Sequence, residues 1–262
     1  MKKRILGFLS ALFLIAGLAQ SGAAATYSSW ILDLDGDGNT ATGDQVSVTE
    51  YIDINSPNLV LATMDTGSTT NYTFSDIGVT SATDVDSSGT TDDKINLFSL
   101  TGDYLFTGDG ELGSGVAFNQ GGQLNLKVGD TLVATLTLIE GEGSVNEEGF
   151  PNGQLSISYD LEVLSLGYLL WEDGTSITSA TALTTTNASE IATPSAELDK
   201  ILLTAAGIDP NDKETALEAY DFYYYLSSNG QFRLTSEVPV PSALFLLGSG
   251  IIGLVGFRRK NS

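Results

Sequence analysis

The run Asp33-Leu34-Asp35-Gly36-Asp37-Gly38-Asn39, with Asp44 beyond it, is the densest grouping of chemically active side chains in the sequence. Counted from Asp33 as position 1, carboxylates fall at positions 1, 3, 5 and 12, glycine at 6 and Asn39 at 7. That is the spacing of a calcium loop. Ca2+ takes about six to eight hard oxygens, and glycine at position 6 permits the sharp turn that makes them converge. Asp33, Asp35, Asp37, Asn39 and Asp44 are therefore the candidate ligands, and Ca2+ the candidate ion. Asp44 stands where the helix-flanked version of such loops has a long bidentate Glu, and Trp30-Ile31-Leu32 reads as the start of a strand. The other reading of the same residues is an acidic turn whose Asp side chains accept from their own backbone. A second run, Asp84-Val85-Asp86-Ser87-Ser88-Gly89 with Asp92 and Asp93, repeats part of the spacing, but Ile95 fills its position 12.

What is absent narrows the remaining chemistry. The chain has no cysteine and no histidine, which removes disulfides, thiolate nucleophiles, Ser-His-Asp relays and imidazole zinc sites. Carboxylate chemistry survives, and Glu147-Glu148 or Glu172-Asp173 are the pairs a glycosidase could use. Two such acids must flank a sugar about 5–10 Å apart in a cleft, whereas neighbours on a strand point to opposite faces. Solvated loop acids in a non-enzymatic protein are the expectation. Trp30, Trp171 and an exposed tyrosine near Tyr224 are candidates for stacking on sugar rings, set against burial in a core.

Net charge is −22, and its distribution matters more than its sum. All 33 acidic residues lie between Asp33 and Glu237, where the basic ones are Lys94, Lys127, Lys200, Lys213 and Arg233 alone. Such a surface repels phosphate backbones, so nucleic acid is not an expected partner, and it attracts divalent cations.

These candidates need a scaffold, and from Val46 to Leu170 the dominant period is two. Leu124–Val128, Leu132–Leu138 and Leu155–Val163 alternate apolar residues with hydroxyls or carboxylates, the pattern of strands with one buried face. Glycine-rich breaks at Gly121-Gly122, Gly129-Asp130, Gly141 to Gly143 and Asn152-Gly153 set hairpin spacing. The fold class expected is mainly β, an antiparallel β-sandwich or jelly roll with one or two short helices near the C-terminal end. Ser176 to Ser195, rich in Thr, Ser and Ala, reads as a linker. A helix is expected over Ala196 to Ala206 with Gly207 as its stop, and a second turn is expected to start at Asp209-Pro210. Ser228-Asn229-Gly230 reads as a hairpin turn. Tyr223, Tyr224 and Tyr225 must alternate faces, which leaves at least one exposed.

The two ends are of a different character. Lys2-Lys3-Arg4, the apolar run Ile5 to Ala19 and the small residues Ala23-Ala24-Ala25 match a secretory signal peptide over residues 1–25. Its apolar run would span only about 22 Å as a helix, against a hydrocarbon core of about 30 Å. At the other end, Val238-Pro239-Val240-Pro241 precedes the apolar stretch Ser242 to Phe257, and Arg258-Arg259-Lys260 ends it. The basic cluster should stay cytoplasmic, leaving residues 26–237, the acidic β-rich domain, outside. Prolines 239 and 241 keep the segment before the membrane extended and open to a protease.

Residues 238–262 resemble the PEP-CTERM sorting tails of Gram-negative bacteria, in which a short proline motif, an apolar transmembrane helix and an Arg-rich end are recognised by an exosortase. Val240 stands where the commonest motif has Glu, so the likeness is to the Val-Pro-Leu-Pro branch, which Leu246-Leu247-Gly248-Ser249-Gly250 also fits. The resemblance implies export by signal peptidase and the general secretion machinery, transit through the inner membrane as a single-pass intermediate, and cleavage near the prolines. It implies a destination at the cell surface or in the extracellular matrix. The combined expectation is a surface or matrix protein, structural or adhesive and associated with exopolysaccharide. The alternative is a carbohydrate-binding or carbohydrate-cleaving domain in the same place.

Overall fold

Among the described residues, twelve strands and two short helices follow one another as β1 Trp30–Asp33, β2 Gln45–Val48, β3 Ile52–Met64, β4 Asn71–Val85, β5 Leu100–Glu111, β6 Gly115–Phe118, β7 Gln123–Val128, β8 Thr131–Ser144, β9 Gln154–Val163, β10 Leu169–Trp171, β11 Ser179–Glu190, α1 Ala196–Ala205, α2 Lys213–Leu217 and β12 Phe222–Thr235. They belong to a computed structural model that describes residues 27–39, 44–85, 99–191 and 193–235. The expected signal peptide, the tail from Val238 to Lys260 with its proline motif and Arg258-Arg259-Lys260, and the second Asp run beyond Val85 lie outside the described residues. Among those described, no helix is long and apolar enough to cross a membrane.

The mainly antiparallel β reading holds, but the sheet closes on itself where a sandwich or jelly roll was expected. β3, β4 and β5 pair in succession, β8, β9, β11 and β12 do the same, and β12 returns to pair with β3. The gap between β5 and β8 is filled by β7 at one end and β6 at the other, two halves of a single wall position. The result is an eight-stranded up-and-down barrel. Closure pairs every edge, which a two-sheet sandwich cannot do.

Side-chain alternation sorts each strand into an inner and an outer row. Tyr72, Phe74, Asp76 and Thr80 of β4 face inward with Tyr104 and Phe106 of β5, Leu136 and Leu138 of β8, and Ile157, Tyr159 and Leu161 of β9. Eight strands leave room for only so much, and glycine makes the fit. A Cβ on Gly78 would lie 2.3 Å from the Tyr104 hydroxyl, and one on Gly110 would lie 2.2 Å from the Tyr72 ring. Outward rows on β8, β9 and β11 carry Thr135, Thr137, Glu140, Ser156, Ser158, Asp160, Glu162, Thr185 and Asn187, not the apolar band of a lipid-facing wall.

Two sequence expectations are corrected here. Ser179–Glu190, taken as linker, is β11, a wall strand bonded to β9 and β12 along most of its length. Its β-branched Thr residues suit a pleat, and its small Ala180 and Ala182 suit a crowded interior. Asn229-Gly230 is not a turn either, since β12 runs through it in register with β3 and β11. Glycine is needed because a Cβ there would lie 2.3 Å from the Thr185 carbonyl oxygen. Likewise β8 continues through Gly141 to Gly143, where a Cβ on Gly143 would strike Leu155.

Covering one end of the barrel is a small sheet in the order β10-β1-β2. Trp30, Leu32, Val46, Val48 and Leu169 continue the barrel core, with the Trp30 ring edge-on to Phe232 at 6.4 Å. On the outer wall, α1 sets Leu202 and Leu203 over Leu59, Leu61, Ile77 and Tyr225. The helix follows the sequence reading closely: the Ser195 hydroxyl accepts from the Leu198 N–H at 3.2 Å, and Gly207 ends it at φ +74°. α2 begins at Lys213, a few residues beyond Asp209-Pro210. Tyr224 points inward, Tyr225 lies under α1, and Tyr223 is 47% exposed, as alternation requires.

Candidate cation site and the polar barrel interior

The Asp33 loop joins β1 to β2, whose last pair is Asp33 with Gln45. Asp33 is fully buried, and its carboxylate is satisfied from within the loop. Oδ1 accepts the N–H groups of Asp35 at 3.2 Å and Gly36 at 2.9 Å. Oδ2 accepts the Gly38 N–H at 3.0 Å and the Gln45 Nε2 at 3.3 Å. Donors of this kind offset the desolvation of a buried charge. Further out the pattern repeats, with Asp35 accepting from the Asp37 N–H at 3.0 Å and Asp37 from the Asn39 N–H at 2.6 Å. Gly36 and Gly38 sit at φ +72° and +70°, a region that favours glycine. A Cβ on Gly36 would also lie 2.4 Å from the Tyr168 ring.

This folding gathers like charges. One carboxylate oxygen each from Asp33, Asp35 and Asp37 lies within 4.8 Å of the others. The Asp37 N–H pulls the Asp35 carboxyl down, but partial desolvation and the carboxyls of Asp44, Asp33 and Asp37 outweigh it and hold Asp35 above its ordinary value. Asp44 lies at the far end of the loop, where its backbone carbonyl accepts the Leu34 N–H at 3.2 Å, outside the group of three carboxylates. Asn39 is exposed at position 7. These three carboxylates form a hard-oxygen cluster of the type Ca2+ takes, and a divalent cation would relieve their repulsion.

The other candidate acids stay apart. Glu147 and Glu148 lie in the turn between the bridged residues Val145 and Pro151, and Glu172 and Asp173 in the turn after β10. Asp173 is engaged there by the N–H and hydroxyl of Thr175, which hold its carboxyl low. Trp30 is core, only 1% exposed, and Trp171 is half-buried at the end of β10. A wider groove of about 660 Å³ lies on the barrel wall between β4, β5, β6 and β8, edged by Asp65, Asp109, Glu111 and Glu142.

Inside the barrel is a polar group that reading the sequence did not single out. Asp76 is enclosed among Tyr104, Tyr159, Thr80 and Thr184 at a cavity of about 60 Å³. Its hydrogen bond is from the Asn58 Nδ2 at 2.6 Å. Burial raises its carboxyl to about 7, against the pull of Asn58. The alternation of β4 does place residue 76 on the inner face with Tyr72 and Phe74, and that phase was the available signal.

A family model of the PEP-CTERM protein-sorting motif matches residues 237–260. Comparison with curated proteins and with solved structures gave no match.

Proposed function

We propose that this chain, whose residues 237–260 match the PEP-CTERM protein-sorting motif, is an exported structural or adhesive protein of the cell surface or extracellular matrix, with Ca2+ rigidifying its Asp33 loop. The sorting motif at residues 237–260 is the observation that carries the reading. An exosortase is the partner such a motif addresses, acting near Val238-Pro239-Val240-Pro241 while Arg258-Arg259-Lys260 holds the far end in the cytoplasm. Signal peptidase and the secretion machinery act earlier, and the inner membrane is occupied only in transit. An acidic barrel with a polar outer wall suits a hydrated matrix of exopolysaccharide.

Calcium is supported by the convergence of Asp33, Asp35 and Asp37. With Ca2+ at about a hundredfold its dissociation constant, the gain of about 2.7 kcal/mol raises the melting temperature of a domain this size by about 5–10 °C. Calorimetry of the processed protein in millimolar calcium and in chelator measures it. An unchanged melting temperature contradicts the calcium clause, as does a shift that persists in Asp35→Asn/Asp37→Asn.

A second reading, carbohydrate binding, draws on the groove edged by Asp109, Glu111 and Glu142. Glycan-array binding lost in Glu142→Gln would favour it, and an array with no bound glycan would count against it.

A further inference from the structure

The dipeptide Asn-Gly occurs twice in the chain, as Asn152-Gly153 and Asn229-Gly230, and glutamine follows it both times. The local sequence is therefore the same, and both asparagines are exposed. What differs is the backbone. Asn229 and Gly230 lie inside β12, in register with Asn55 and Ile54 of β3 on one side and with Asn187 and Thr186 of β11 on the other. The Asn229 side-chain oxygen also accepts from the Asn55 Nδ2 at 3.2 Å.

Asn152 and Gly153 instead lie in the connection between β8 and β9, just before β9 begins at Gln154. The Asn152 N–H donates to the Ser144 carbonyl at 2.8 Å. Among the described residues, no hydrogen bond holds the Gly153 N–H or the Asn152 side-chain amide. Gly153 has φ +112°, and the atom nearest to its Cβ position is the Ser144 hydroxyl at 3.6 Å, so no neighbour obstructs rotation there. The same hydroxyl donates to the Asn152 carbonyl oxygen. That oxygen belongs to the peptide unit of the Gly153 nitrogen, and a donor on it stabilises the negative charge that spreads over the unit when the nitrogen loses its proton.

We propose that Asn152 is a site of spontaneous deamidation, assisted by Ser144, and that Asn229 is protected. The Gly153 nitrogen gives its proton to solvent base and bonds to the Asn152 Cγ. The Cγ–Nδ2 bond breaks, and the side-chain nitrogen takes a proton from water and leaves as ammonia. Water then opens the succinimide at either carbonyl, giving aspartate or isoaspartate. The reacting atoms sit on adjoining residues, so proximity supplies the rate without a partner molecule. At Asn229 the same closure would pull the Gly230 peptide out of a ladder paired on both sides, leaving backbone groups unsatisfied. Each conversion adds a carboxylate between Ser144 and Gln154, two residues that line the groove edged by Glu142.

Timed incubation of protein isolated from native cells, at pH 8 in buffer and in concentrated urea, followed by peptide mapping with mass spectrometry, tests this. In buffer the Asn152 peptide should become a mixture of aspartyl and isoaspartyl forms while the Asn229 peptide stays intact. In urea both should convert at matching rates, because the tripeptide is shared. Ser144→Ala should slow the conversion of Asn152 severalfold in buffer and leave its rate in urea unchanged. An Asn152 peptide that stays intact in buffer, or equal rates for the two asparagines there, overturns the site. A Ser144→Ala rate equal to wild type in buffer overturns the part given to Ser144.

Discussion

Asp33 and Asp76 are both buried carboxylates, and the difference between them lies in their donors. Asp33 receives hydrogen bonds from the backbone of Asp35, Gly36 and Gly38 and from Gln45, whereas Asp76 receives one from Asn58. Burial, with that single hydrogen bond pulling the other way, raises the Asp76 carboxyl from 3.8 to about 7. Between those values the unfolded chain has released its proton while the folded one keeps it. The folded state binds more protons there, so this residue makes stability fall as pH rises from about 4 to about 7, by roughly 4 kcal/mol at most. The phenols of Tyr104, Tyr159 and Tyr224, raised above their ordinary value by burial, stay neutral over that window. Asp76→Asn should remove this slope, making the variant less pH-sensitive than wild type in urea denaturation at pH 4.5, 6 and 8. Parallel pH curves for the two proteins would refute it. At the loop, Gly36→Ala meets both a positive φ and the Tyr168 ring. It should cost about 1–3 kcal/mol, read as a lower denaturation midpoint, while Gly67→Ala on the open β3–β4 turn, with φ +80° but nothing within 4 Å of its Cβ, should cost less.

Among elements, α1 shows what holds an amphipathic helix on a barrel wall. Leu202 and Leu203 are fully buried against β3, β4 and β12, so Leu203→Ala should lose about 2–5 kcal/mol. Ser195→Ala, which removes the cap to Leu198, should lose about 1 kcal/mol. Thermal unfolding of the two variants checks the order as well as the sizes. The helix was legible because its cap, its apolar spacing and Gly207 agree. β11 was not, because Thr and Ala alternate without any large apolar residue to mark the buried row. In β12 the Asn229-Gly230 pair gives a strong turn signal that pairing on both sides overrides. The grouping of Asp33, Asp35 and Asp37 was legible from its spacing, but Asp76 carries no local motif. Its role depends on eight strands closing, a long-range event that the period of two does not encode.

At the scale of the molecule, the chain divides its labour between a barrel that is acidic outside and partly polar within, and a tail that carries an address. The barrel residues say nothing about destination, and the tail says nothing about binding. The strand period established mainly β and antiparallel, but sandwich and barrel share that period and differ only in whether β12 finds β3. Sorting by the tail is the claim on which localisation and partners rest. Its most direct measurement is fractionation of native cells with an antibody to the barrel, comparing wild type with Pro239→Ala/Pro241→Ala. Wild-type protein should appear outside the inner membrane and shortened at its C-terminus, and the double variant should be held in the inner membrane at full length. Full-length protein retained in the inner membrane in both strains would contradict the account.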